Sequence, residues 1–136
     1  MKEFEEIFSE LQADMISICM EYVEDRADKV YVYASCEEGI VSSSFFYLIN
    51  NIYVECHKLN DALEKGEDEY DVSSERQFMV LDIINENVEK IKELCEEYER
   101  DIPTELKLIY DAKSGKLKAE YKYDLVFTPN PLPILY

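Results

Sequence analysis

Glycine is nearly missing from this chain. Only three occur in 136 residues, with four prolines, one histidine and no tryptophan. Three glycines cannot build a phosphate cradle, and no GxGxxG, P-loop or GxSxG stretch is present. The four cysteines, Cys19, Cys36, Cys56 and Cys95, are 17, 20 and 39 residues apart. Zinc sites bring their ligands in close pairs, so these read as reduced thiols in or near a core. No apolar run reaches the ~18 residues of a membrane span. The start, MKEFEEIFSEL, is acidic and amphipathic, unlike a secretory signal or transit peptide. The expected location is the cytoplasm.

Negative charge is what the chain has in excess. Asp and Glu number 31 against 14 Lys and Arg, a net charge of −17. The excess is uneven: residues 1–106 carry −19 and residues 107–136 carry +2. Such a surface repels nucleic acid and anionic lipid, whose phosphates need neutralising. It steers basic partners towards itself. Acidity of this size also serves solubility alone. The chain is 47% hydrophobic, with eleven tyrosines and six phenylalanines, too apolar for disorder. Its length fits one domain with a buried core.

Apolar positions at Phe4, Phe8, Leu11, Met15, Ile18 and Tyr22 step by 4 and 3, one stripe of a helix over 2–26. KVYVYASC (29–36) reads as a strand, Glu37-Glu38-Gly39 as a turn, IVSSSFFYLI (40–49) as a second strand. Asn50-Asn51 turns into a third, IYVEC, 52–56. Residues 57–71 read as a long acidic loop with one helical turn. Ser73 or Ser74 caps a second helix, with Gln77 placed for a capping box on Ser74. Its stripe is Leu81, Ile84, Val88, Ile91, Cys95 and Tyr98, and Pro103 ends it.

LIYDAKSGKLKAEYKYD (108–124) reads as a hairpin turning at Ser114-Gly115. Leu106, Leu108 and Tyr110 share one face with Leu117, Ala119, Tyr121 and Tyr123. Lys116, Lys118, Glu120 and Lys122 take the other face, where lysine guards a strand against edge pairing. The expected fold is α+β: helix, three-strand meander, helix, hairpin. Two long helices pack on one face of an antiparallel sheet of about five strands. One domain spans 1–126. The proline-rich tail, 127–136, is either an arm packed on the body or an exposed sticky end.

Candidate chemistry is sparse. His57 follows Cys56, but neighbours on a strand point to opposite faces, so a thiol–imidazole pair would not meet. Glu67-Asp68-Glu69 with Asp71 lacks the alternation and glycine of a calcium loop. No catalytic residue, metal or cofactor is expected. Glu96, Glu97 and Glu99 stand at the negative pole of the second helix, a mildly unfavourable placement that points to a partner. Of the eight tyrosines in or near the sheet segments, most are expected to line the core. The others offer contact area at low entropic cost.

The order KVYVYAS, SSFFY, YVECHKLN, YDVS and PTELKLIYDAKSGKLKAEYKYD resembles the YezG-type immunity family over most of residues 10–126. Tyr70-Asp71-Val72-Ser73 and Gly115-Lys116-Leu117 leading to Tyr121-Lys122-Tyr123-Asp124 carry the likeness most specifically. The chain departs from that pattern in lacking tryptophan and in its apolar, proline-rich end. The resemblance implies an antitoxin that binds a toxin, often a nuclease exported by the type VII secretion route of Gram-positive bacteria. A nuclease site is basic because it holds phosphates. The expected contacts are therefore acidic: Glu37 and Glu38; Glu67, Asp68, Glu69 and Asp71; Glu96, Glu97 and Glu99. A chaperone or adaptor for a secreted cargo is the alternative reading. Neither reading sets an oligomeric state.

Overall fold

A computed structural model of the chain describes residues 3–123. Helix α1 spans Phe4–Tyr22, and strands β1 (Lys29–Glu37), β2 (Ile40–Ile49) and β3 (Ile52–Glu55) follow as a meander. A 3-10 turn at Leu59–Ala62 leads to helix α2 (Ser74–Glu97), then β4 (Glu105–Asp111) and β5 (Lys116–Lys122). The five strands form one sheet in the order β3-β2-β1-β4-β5. Every pairing is antiparallel. The hairpin therefore extends the meander's sheet as expected, joining it at the free edge of β1.

Tight turns fix the register. Glu38 and Gly39 between β1 and β2 both have positive φ (51° and 79°), as do Asn50 and Asn51 (52° and 65°) between β2 and β3. Two consecutive left-handed residues give the hairpin turn whose twist matches the strands. Gly115, at φ 72°, turns the last hairpin. Pairing of Leu106 with Tyr121, Leu108 with Ala119 and Tyr110 with Leu117 places the hairpin's apolar set on one face, as its alternation predicts.

Both helices cover that face. The core there includes Met15, Cys19, Tyr22, Val30, Val32 and Tyr47. It is completed by Ile84, Val88, Ile91 and Leu108. Buried polar groups are tied across layers: the Tyr47 hydroxyl donates to the Cys19 carbonyl (2.6 Å) and the Tyr22 hydroxyl to the Cys56 carbonyl (2.8 Å). Burial holds the Tyr47 phenol and the Cys19 thiol well above their ordinary pKa values, and pushes Tyr22 up to about 12.

Three local expectations need correcting. On α1, Gln12, Ile16 and Cys19 are buried while Phe8, Leu11 and Ile18 are half-buried. The inward face is wider than one stripe because α1 packs on both the sheet and α2. At α2 no capping box forms: Ser73 is the N-cap and its side chain caps nothing. Gln77 instead donates to the Val72 carbonyl (2.7 Å), and Asp71 accepts from the Ser73 N–H (3.0 Å). Of the eight sheet-region tyrosines, only Tyr47 and Tyr70 are fully buried. The tail, 127–136, lies outside the described residues.

Candidate partner-binding surface

The nine acidic residues expected to meet a partner fall into two groups. Helix α2 runs 24 residues, about 36 Å at 1.5 Å per residue, and the groups sit at its two ends. The loop group, Glu67 to Asp71, lies beside the start of β1 and α2. There Asn50 donates both to Glu67 (2.7 Å) and to the Ala62 carbonyl (2.9 Å). The other group comprises Glu96, Glu97 and Glu99 at the end of α2, with Glu37 and Glu38 at the end of β1 and its turn into β2. Cys36, at the end of β1, donates its N–H to the Thr104 carbonyl (2.9 Å), and its thiol feels the charge of Glu96.

The loop group is built into the fold. Glu67 accepts the Glu64 N–H (2.7 Å) as well as Asn50, and these bonds, the backbone one first, hold its carboxyl below the ordinary value. The Ser73 N–H, and then the Ser73 hydroxyl, lower Asp71 in the same way. Arg26 donates to the Asp68 carbonyl (2.7 Å) while its guanidinium lies 3.9 Å from the centre of the Tyr70 ring. Asn60 exchanges two hydrogen bonds with the Tyr70 backbone. Asp68 and Glu69 are exposed.

At the helix end the relation reverses. Glu96, Glu97 and Glu99 are exposed, and no described cation pairs with them. The last turn of α2 holds no basic residue to complement the dipole. Arg100 is engaged elsewhere, 3.2 Å from Glu5 and stacked over Phe4. The helix stops in a Schellman motif: Arg100 N–H reaches the Cys95 carbonyl (2.8 Å) and Glu99 N–H the Glu96 carbonyl (3.2 Å). That motif puts Glu99 at φ 54°, where glycine or asparagine is usual. Glu38 is left-handed too, and Glu37 is 9% exposed.

Among the described residues, the other candidates for chemistry stand apart from one another. His57 is exposed, its Nε2 3.2 Å from Glu55. Cys56 is half-buried, 3.9 Å from Gln77, and burial raises its thiol pKa, which suppresses the thiolate. Among the described residues no group of His, Cys, Asp and Glu could hold a metal, and no helix is long and apolar enough to cross a membrane.

A second surface was not anticipated. No described element covers the sheet face opposite the helices. Tyr31 and Phe46 stack there at 4.6 Å and 3°, and Tyr53 tilts against Tyr31 at 5.9 Å. The signal lay in β1: Val30 to Ala34 is apolar or aromatic at every position, the pattern of a strand with two apolar faces.

The described residues form a small α+β domain with two helices on one face of a five-stranded antiparallel sheet. The chain belongs to the immunity protein YezG-like family, whose sequence model matches residues 4–130. It is thus an immunity protein, a neutraliser of a cognate toxin. No curated protein matches it.

Proposed function

We propose that this immunity protein acts on a secreted nuclease toxin by covering its basic, phosphate-binding surface, with no catalysis of its own. The observation that carries the reading is the helix end. Three exposed carboxylates stand without described cations at the negative pole of α2, one of them on a left-handed backbone. Like charge at a dipole's negative end costs ~0.3–1 kcal/mol per group. The fold gains nothing from these residues that the described structure reveals, whereas a cationic partner would gain attraction.

Glu96, Glu97, Glu99 and Glu38 would meet lysines and arginines that otherwise hold phosphates. The loop group, some 36 Å away along α2, lies too far to share a standard interface of ~800 Å² per partner with them. In this reading Asp68 and Glu69 add long-range steering, while Glu67 and Asp71 keep the loop in shape. Glu37 lies at the helix-end contact's rim.

The test is reconstitution with the toxin domain encoded beside the gene. A one-to-one complex should form and cleavage of plasmid DNA should stop. Association should slow by ~10-fold or more between low and physiological salt, with dissociation much less affected. A complex that still cleaves DNA, or whose association ignores salt, overturns the proposal.

A further inference from the structure

The sheet face opposite the helices carries a groove of about 530 Å³ that crosses β2, β1 and β4. We propose that this face packs on the same face of a second copy of the chain, related to it by a two-fold axis along β1. The inference goes beyond toxin binding: the helix-end carboxylates take no part in it, and it holds whichever toxin is bound.

Three observations select a second copy. The first is the pattern of charge. A chain of net charge −17 repels another copy over most of its surface. The outer face of the sheet does not share that excess. On its β4–β5 half, Lys116 pairs with Asp111, Lys107 with Glu120 and Lys122 with Glu105, so the signs balance locally. The other half is aromatic, with Tyr31 stacked on Phe46 and Tyr53 tilted against Tyr31. Two copies can meet here without the repulsion that their remaining surface imposes.

The second is strand order. β1 lies in the middle of β3-β2-β1-β4-β5. A two-fold axis along β1 therefore lays β2 over β4, and β3 over β5, of the other copy. Tyr31 is paired with Phe46 on one side and with Ile109 on the other. The rotation sets each copy's Phe46 over the other's Ile109, with Tyr31 against Tyr31 near the axis. Beyond them, Glu55 pairs with Phe46 and Lys118 with Ile109, so Glu55 and Lys118 come opposite each other at both rims. Their side chains are 66% and 70% exposed and free to reach across. A two-fold axis across the strands would instead set β5 on β5, lysine against lysine, which is repulsive.

The third is size and the polar end of the groove. Five strands ~4.8 Å apart, each about seven residues long at ~3.3 Å per residue, present a face of roughly 24 by 23 Å. With the relief of its side chains, that approaches the ~800 Å² per partner of a standard interface. Aligned sheets pack ~10 Å apart, a gap that tyrosine and phenylalanine fill from both sides. Glu105, at the polar end, is 2% exposed, and neither carboxylate oxygen has a hydrogen-bond partner among the described residues. Lys107 and Lys122 stand 3.7 and 3.8 Å away, within ion-pair range but beyond a hydrogen bond. In the two-fold arrangement the exposed Ser42 and Ser44 of β2 lie over this end of β4. Their hydroxyls are donors of the kind a buried carboxylate requires.

The test is sedimentation equilibrium of the full chain without toxin, where a ~100-fold range of concentration should reveal a monomer–dimer equilibrium. Salt should strengthen it by screening two bodies of like charge, the opposite of its effect on toxin association. Phe46→Lys should weaken it ~10-fold or more. Phe78→Lys, at a site 64% exposed on α2, should leave it unchanged. Lys118→Glu should weaken it several-fold, and Glu55→Lys added to that variant should restore it. Circular dichroism checks that each variant is folded, and a cross-link needs no added charge. With p-benzoylphenylalanine in place of Phe46, irradiation of mixed isotopically light and heavy chains should join one copy to the 105–111 peptide of the other. A monomer at every concentration overturns the proposal. So does a dimer that Phe78→Lys breaks and Phe46→Lys leaves intact, a charge swap that does not restore association, or a cross-link confined to one copy.

Discussion

The loop end of the molecule and the far end of α2 are both acidic, but their carboxylates stand in opposite relation to the fold. At the loop, Glu67 and Asp71 accept backbone N–H bonds from Glu64 and Ser73. At the helix end, Glu96, Glu97 and Glu99 meet no described cation and oppose the dipole. Acid groups that accept bonds explain their own presence, because removing them frees a backbone donor. Acid groups that oppose the local field do not, and in the proposed reading a cationic partner explains them.

Charge reversal separates the two ends most sharply. Glu96→Lys, Glu97→Lys and Glu99→Lys together should weaken toxin binding ~100-fold or more, because like charges then face the partner's cations. Asp68→Lys with Glu69→Lys should cost less than ~3-fold, through weaker steering alone. Titration calorimetry with circular dichroism as a folding control checks both. Equal losses at the two ends would remove the distinction.

Much of this frame was legible in the sequence, and the reason is periodicity. IVSSSFFYLI occupies β2 over the residues its pattern marks, bracketed by Glu38-Gly39 and Asn50-Asn51, because alternation and turn chemistry agree. The two ends could not be told apart that way. Whether a glutamate holds a backbone N–H depends on where the chain returns: Asn50 reaches Glu67 across 17 residues. The expected stripe of α1 does face the core, with Phe4, Met15 and Tyr22 buried, but the full width of that face was not legible for a similar reason. Gln12 is buried because it donates to the Tyr121 hydroxyl (2.6 Å), 109 residues away. The aromatic outer face was visible in Val30 to Ala34, but the high tyrosine count favoured assigning most of those rings to the core.

Backbone strain sharpens the contrast at a smaller scale. Glu24, at the end of α1, occupies the same Schellman position as Glu99, with φ 55° against 54°. Glycine at either site should raise stability by about 1 kcal/mol, since a left-handed residue then carries no Cβ. Urea unfolding measures that gain. The two variants should part in binding: Glu24→Gly leaves toxin affinity unchanged, while Glu99→Gly loses it several-fold despite the better fold. If Glu99→Gly gains stability and keeps full affinity, the helix end is not a contact.

Mild acid should produce the smallest effect, confined to the loop. Hydrogen bonds hold the Glu67 and Asp71 carboxyls below their ordinary values of 4.5 and 3.8. A carboxyl whose folded pKa is depressed stabilises the fold above its unfolded value, and that support disappears as pH falls through the folded one. The loop should therefore loosen below about pH 4.5. Global stability is the wrong gauge, because protonation also relieves self-repulsion in a chain of net charge −17. Hydrogen exchange resolved by peptide is the right one. Between pH 6 and pH 3.5, after correction for the intrinsic rate, residues 60–73 should lose protection before α2 does. Glu67→Gln, which cannot ionise, should flatten that dependence, since its amide still offers an acceptor to the Glu64 N–H. Equal loss of protection in the loop and in the last turn of α2 would mean that the loop carboxylates are no more structural than those at the helix end.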